Sequence, residues 1–537
     1  MGIGSTHGAS LDAHPSTQAQ MTSSTAQRST SHVARSAVLV AFFFAFDKVL
    51  GLVRDVVVSR AFGASPELDA YYAAFELPDG LFTVVAGSAL ATSFIPILSA
   101  HISKGDRDDT WQLVSAVLNL ALLVVATVSI VAAVFAPQVI ALVAPGFDAY
   151  RAGLATSLMR LVLLQTLLSS VSGITMSTLQ AHQHFLLPAA APLFYTLGRI
   201  GGALLLAPRW GIFGLAIGGL LGTVGHFLIQ VPGLIHFRAR WWPRFRHPDL
   251  MRVLALMGPR MLGLGVTYLN FVLPTFLGSR LAGGAISAYE YGWRLMQFPE
   301  TIIGTAVGLT IFPTLAERAN RGDLPGLRRA AGWALRLVLA LAIPAAAGLL
   351  LLGRPLTTLF LQRGAFDADA TTRVVGALHF LTLGLIGHSA LEVVSRLFYA
   401  QRDMWTPFWA ALLGLLVNAG LGWLLLTDLQ QGAIALGNSV GVCAQVLLLM
   451  GIARARLTDV EGSTLGRSLL RTFGATALMT ALILGAARWL PNYGLIPDTA
   501  LQLSLGGVGY LVGAWLLQSE EISELPRLLV RKGDLGL

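Results

Sequence analysis

The chain has 537 residues, 55% of them hydrophobic and 12% charged, with a mean hydropathy of +0.68. Soluble globular proteins carry about 25% charged residues, so these values exclude a soluble fold. The net charge of +9, from 37 basic and 28 acidic residues, marks cytoplasmic loops of a membrane protein rather than a nucleic-acid surface.

Residues 1–35 are rich in Ser, Thr, Ala, His and Gln and lack an apolar stretch. They read as a disordered cytoplasmic tail, not a signal peptide. The opening MGIGST fits a myristoylation pattern, but a chain with many spans needs no lipid anchor. Apolar runs of about 20 residues then recur from 36 to 518, predicting an all-α polytopic membrane protein. The alternating ten-residue segments of a membrane barrel are absent. About 14 transmembrane helices are expected, near 36–53, 70–98, 111–136, 152–176, 185–207, 211–236, 253–278, 286–315, 329–353, 374–396, 405–427, 432–452, 468–490 and 499–518. With the N-terminus inside, inside segments hold about 21 basic residues and outside loops about nine, so both termini are expected in the cytoplasm. The only cysteine, Cys443, sits in an apolar run, so an intrachain disulfide is impossible.

Three segments recur in order at an offset close to 218. SFIPILSAHISKGD (93–106) pairs with TIFPTLAERANRGD (310–323), PGFDA (145–149) with GAFDA (364–368), and QAHQHFLLP (180–188) with YAQRDMWTP (399–407). Each repeat holds about six spans, so both halves cross in the same sense, as in transporters that alternate access between two lobes. The expected organisation is an N-lobe over 36–250, a C-lobe over 251–455, two further helices over 456–520 and a short cytoplasmic tail over 521–537.

Ionisable groups at bilayer depth are costly unless they meet a partner or a wet cavity. The first span carries Asp47, Lys48, Arg54 and Asp55. Asp47 and Arg54, and likewise Lys48 and Asp55, are seven apart and share a face. Gly51 between them admits close approach by a backbone or a ligand. In the eighth span Glu290, Arg294 and Gln297 form a polar stripe. Glu76, Asp79, Arg260 and Glu392 are further candidates, whereas Arg160, Arg199 and Arg336 read as span-end or helix-seam residues. If Lys48, Arg54, Arg260 and Arg294 line one cavity, its centre is cationic, with a few acids around it. The arginine fork then favours an anionic cargo, a phosphate or diphosphate. Gly214, Gly218 and Gly222, and Gly304 with Gly308, read as helix-packing positions. His182 and His184 lack an acid or Cys to complete a metal site. No P-loop or HExxH occurs, so ATP-driven or metalloenzyme chemistry has no motif, and no enzymatic activity, cofactor or metal is expected.

KVLGLVRDVVVSRAFGASPELDAYYAAFELPD (48–79) with SFIPIL (93–98), RLMQFPETIIGTAVGLTIFPTL (294–315) and LFYAQRDMWTP (397–407) resemble the MurJ/MviN family of the MOP exporter superfamily. The resemblance runs from about 36 to 520. It implies 14 helices, two six-helix lobes, a lipid groove formed by the last two helices, and flipping of lipid II across the bacterial cell membrane. By the resemblance, Arg54 falls on a cavity arginine, Asp69 on an acid opening the second span, and Arg294 on an essential arginine. Three positions depart from the family: Lys48, Phe82 and Gln297 stand where it has an arginine, an arginine and an acid, and Arg260 and Glu290 are candidates to compensate. The expected substrate-binding set is thus Arg54, Arg294, Lys48, Asp55, Asp69, Arg260, Glu290 and Gln297. Its cargo is a lipid-linked anion, with cell-wall synthesis proteins as partners and no nucleic acid. The alternatives are an exporter of another lipid-linked oligosaccharide and a transport-dead cell-wall scaffold.

Overall fold

A computed structural model describes residues 42–43, 45–85, 87–457, 462–491 and 493–523. The N-terminal tail, its myristoylation pattern and the tail beyond 523 lie outside the described residues. The described chain is helical, with no strand among the described residues. Its principal helices are α1 (45–62), α2 (Pro66–Lys104, built from Pro66–Val85 and Ser88–Lys104), α3 (Arg107–Val134), α4 (Ala149–Ala181), α5 (Leu186–Trp210), α6 (Ile212–His236), α7 (Leu250–Gly278), α8 (Ala285–Asn320), α9 (Leu324–Leu361), α10 (Ala368–Ala400), α11 (Trp405–Leu424), α12 (Gln431–Leu457), α13 (Thr464–Trp489) and α14 (Leu495–Leu516). Twelve of them are long and apolar enough to cross a membrane. The other two are α1, whose predicted start at 36–41 lies outside the described residues, and α7, whose apolar stretch is Leu264–Gly278.

Helix ends follow local chemistry, and they repeat. Asp106, Asp148, Asp323 and Asp367 each cap a helix by accepting the backbone N–H three residues on, at 2.7–3.0 Å. Burial has little hold on Asp148. The Arg151 N–H and guanidinium keep its carboxyl below the usual range. Left-handed backbone recurs at matching turns: Gly105 and Gly322, Gln183 and Arg402, Gly211 and Gln430. Non-glycine residues rarely adopt positive φ, so its return at the repeat offset in Gln183 and Arg402 is a backbone signature of the duplication. In the turn after α10, burial pushes the Asp403 carboxyl up. Hydrogen bonds from the Thr406 hydroxyl and N–H, and then from Arg456, outweigh it and hold it at about 2.

The helices pack as two groups, α2 to α6 and α8 to α12, with α13 and α14 added against α9. The Tyr510 hydroxyl donates to the Ala340 carbonyl and ties α14 to α9. The glycine packing expected in α6 is present. A Cβ on Gly202 of α5 would lie 2.7 Å from Gly218 Cα, so the two helices meet backbone to backbone. Helix α7 bridges the groups. Val253 and Met257 pack with Phe94 and Leu98, while Leu277 packs with Ile434.

At one end the groups close tightly on each other. The Ala365 N–H donates to the Arg60 carbonyl at 2.9 Å, and the Gly146 N–H to the Ser279 hydroxyl at 3.1 Å. Gly146 and Gly364 are repeat-related, so each half presents a glycine loop to the other half's first turn. Asp69 lies between them with no exposed surface. Its carboxylate accepts the Gly284 N–H at 2.6 Å, the Ser287 N–H at 2.7 Å and the Ser287 hydroxyl at 2.8 Å. Asp69 therefore caps α8 from across the molecule. Tyr71, Leu158, Tyr291 and Phe366 form apolar core around this seal.

Candidate transport site

Further into the bundle, charged side chains of α1 and α8 meet. The Arg54 Nε and Nη2 donate to Asp55 Oδ1 at 3.0 and 2.9 Å. Arg294 Nη1 donates to the same oxygen at 2.9 Å, and its Nη2 lies 3.6 Å from Glu290 Oε2. Asp55 thus holds a guanidinium from each half with a single oxygen. The Arg294 guanidinium sits 5.2 Å over the Tyr72 ring, which orients it without consuming a hydrogen bond. The Arg294 and Asp55 side chains keep 22% and 12% of their surface accessible, so the cluster borders space that a ligand can reach.

Beside it lies a cavity of about 310 Å³ in the second group, lined in part by Asn270, Glu290, Trp293, Gln297, Glu300 and Glu392. Gln297 is exposed to it and continues the Glu290–Arg294 stripe, as its spacing predicts. Glu392 is tied to Arg396. The α8 backbone relaxes into a π segment at Thr301–Thr305, directly after Pro299. Pro lacks an N–H for the α-helical ladder, and π turns recur at functional sites.

The other predicted residues separate. Lys48 is exposed on α1 and interacts electrostatically with Glu300 rather than joining Asp55. Asp47 turns toward α5, where it accepts the Thr196 hydroxyl at 3.1 Å. A Cβ on Gly51 would meet nothing within 4 Å, so this glycine borders open space and not a backbone. Asp69 belongs to the seal and is fully occupied there. The Arg260 side chain lies outside the described residues. Arg160 and Arg336 are seam residues, bonded to the Ala133 carbonyl and to Glu521. Asp55, Asp79, Glu290 and Glu300 are the acids that stand among these cations.

The sequence reading missed Glu300 and took Arg199 for a seam residue. Glu300 lines the cavity, and Arg199 of α5 couples electrostatically to Arg294. Glu300 stands three residues after Gln297, so the spacing of the stripe could have found it, whereas what Arg199 faces is determined by a neighbouring helix, for which spacing along α5 gives no signal. No group of His, Cys, Asp and Glu suited to a metal occurs among the described residues. His182 is stacked on Phe237 at 4.3 Å. Burial and the Arg107 charge hold its pKa below the ordinary imidazole value.

The family model described as "Lipid II flippase MurJ" matches residues 58–501. The chain belongs to that family. It is 30% identical to the lipid II flippase MurJ of Burkholderia cenocepacia over 465 residues, covering 84% of this chain and 89% of that one. It is 28% identical to the probable lipid II flippase MurJ of Haemophilus influenzae, covering 82% and 89%. Its fold is similar to that of a lipid II flippase MurJ in an inward closed conformation, at 23% identity with a TM-score of 0.76 over 92% of this chain and 100% of that one. It is also similar to an inward-facing multidrug resistance MATE transporter of the MOP superfamily, at 15% identity with a TM-score of 0.67 over 78% and 96%. The all-helical membrane fold and the family expected from sequence are thus both found.

Proposed function

We propose that this chain moves lipid II from the inner to the outer leaflet of the bacterial cell membrane by alternating access. The observation that carries the reading is the Asp55 oxygen shared by Arg54 and Arg294. Two guanidiniums from opposite halves converge on one oxyanion, which is the arrangement a diphosphate requires. In the resting state Asp55 occupies the place of the phosphate. An arriving headgroup takes over the guanidinium donors, and Asp55 recaptures them after release, which resets the site without covalent chemistry.

The excess of Arg and Lys in the inside loops supports a reading with both termini in the cytoplasm. Residues 59–69, 146–151, 279–287 and 361–373 then lie on the outer side, so the seal faces out and the site is reached from inside. Opening requires the Asp69 bonds to α8 to break. Cargo binding draws α1 and α8 together at the site, and the halves rock about it. An inside-negative potential favours outward passage of the anionic headgroup by about 2.3 kcal/mol per charge per 100 mV. The exposed apolar surface of α13 and α14, including Leu503, Leu511 and Trp515, supports their role as the track for the lipid tail.

The test is a lipid II flipping assay in a depletion strain complemented by this chain. Restored flipping is expected. If another lipid-linked precursor moves instead, the chain exports a different oligosaccharide. If Arg54→Ala and Arg294→Ala complement fully, the scaffold reading replaces transport.

A further inference from the structure

Among the described residues, Arg199 has no hydrogen-bonded or ion-paired partner. It lies in α5, deep among helices, yet retains accessible surface. Its Nε is buried with no hydrogen-bond partner among the described residues. No hydrogen bond or ion pair from its guanidinium to another described residue occurs, unlike Arg54 and Arg294. Buried arginines normally satisfy their donors, because an unpaired charge away from water is costly. What surrounds it is aromatic instead. The guanidinium lies 5.5 Å from the Tyr71 ring, 5.7 Å from Tyr195 and 6.0 Å from Phe75. Such a cage orients a cation and leaves its N–H groups free for something else.

The cage also links Arg199 to the site. The Tyr71 and Tyr72 rings touch edge-on at 5.8 Å, and Arg294 lies over Tyr72 as Arg199 lies over Tyr71. Two like charges are thus held over adjoining rings, and no acid among the described residues is hydrogen-bonded to both. Asp79 interacts with Arg199 only through space. Phe75, Asp79 and Phe82 follow i, i+4, i+7 on one face of α2, so Arg199 delivers a charge to the face that carries Phe82. Its mounting is rigid. Gly198 and Gly202 press α5 backbone to backbone onto Gly218 and Gly222 of α6, and the helix passes into a π segment at Gly202–Leu206.

We propose that Arg199 is a third guanidinium of the transport site, donating to a phosphate oxygen of the diphosphate headgroup. It places on α5 a charge that α2 lacks at Phe82. The proposal rests on the diphosphate reading of the Arg54–Asp55–Arg294 cluster. One anion spanning Arg294 and Arg199 would relieve their repulsion and satisfy the free donors together. A monophosphate, with fewer oxygens, would gain less.

The full-length protein in nanodiscs would be titrated with lipid II, with farnesyl diphosphate and with farnesyl monophosphate, for the unchanged chain and for Arg199→Gln, Arg199→Lys, Arg54→Ala and Arg294→Ala. Thermal unfolding would be measured alongside. Arg199→Gln should weaken lipid II and farnesyl diphosphate binding by about tenfold, leave the melting profile in place and erase the preference for diphosphate over monophosphate. Arg199→Lys should recover part of the affinity, because it returns the charge without the fork. If Arg199→Gln binds the diphosphate normally while Arg54→Ala and Arg294→Ala do not, the proposal fails and the cluster reading stands. If none of the four substitutions changes binding, both fail. If Arg199→Gln unfolds but Arg199→Lys folds with unaltered affinity and unaltered diphosphate preference, a packing role replaces the proposal.

Discussion

Asp55 and Asp69 are both buried aspartates that join the two halves of one molecule, and they do so with opposite chemistry. Asp69 accepts two backbone N–H groups and one hydroxyl, all at 2.6–2.8 Å. Its donors are neutral, fixed to a helix end and shielded from any ligand. Asp55 accepts two guanidiniums that border accessible space. Its donors are charged, long and able to turn to another anion. The first arrangement suits a latch that is open or shut, and the second suits a site that exchanges partners. The identity of the donor, more than the depth of the carboxylate, separates gate from binding site.

Several substitutions would break or sharpen that contrast. The largest effect is expected for Arg294→Ala, which removes one of the two halves' claims on the shared anion and leaves Glu290 unpaired. Flipping in the complementation assay should fall by roughly 100-fold, as for loss of a charged hydrogen-bonding pair, and full activity would sink the site. Asp69→Asn comes next. It keeps the shape but loses the charge that strengthens three bonds, at about 1.5–3 kcal/mol for bonds to a charged group. Spin labels placed across the seal should report a population shift of roughly tenfold or more toward the open form. An unchanged distance distribution would show that the apolar core alone holds the seal.

Asp55→Asn should act differently from Asp69→Asn. Freed of competition from the carboxylate, the arginines should bind farnesyl diphosphate several-fold more tightly while turnover falls, an estimate from the strength of charge-assisted bonds. Weaker binding would mean that Asp55 organises the arginines rather than competing with cargo. The smallest change is expected for Asp403→Ala in the turn after α10, far from both regions. The Asp403 carboxyl is held at about 2, below its unfolded value. Its contribution is therefore present above the unfolded pKa and lost as pH falls toward 2. An exposed pair of this kind is worth about 1 kcal/mol or less. The melting temperature should drop by a few degrees at pH 7, and the difference from the unchanged chain should vanish in strong acid.

Much of this was legible in the sequence. Hydropathy gives the helical membrane fold, because every backbone group in lipid must be satisfied within a helix. The spacing of Glu290, Arg294 and Gln297 gives their common face, and the repeat gives the matching turns. Spacing along one helix could not tell which neighbour that face meets. Lys48 and Asp55 share a face of α1, but seven residues separate them along the axis, and each found a different partner. Asp69 looked like a cavity acid because its role depends on the first turn of α8, distant in sequence. Arg199 looked like a seam residue because its cage is drawn mostly from α2. Chemistry assembled between helices is what a linear pattern leaves out.

The offset between Asp69 and Ser287 is 218, the spacing of the repeat itself. The two residues are counterparts, and each stands where the other would stand after exchanging the halves. Two identical chains meeting at such a point could offer only matched pairs: acid against acid, which repel, or hydroxyl against hydroxyl, which hold weakly. Joining both copies in one polypeptide lets the shared spot carry an acceptor on one side and donors on the other. The closure of this protein thus depends on a small departure from its own symmetry, which only a fused duplicate can make.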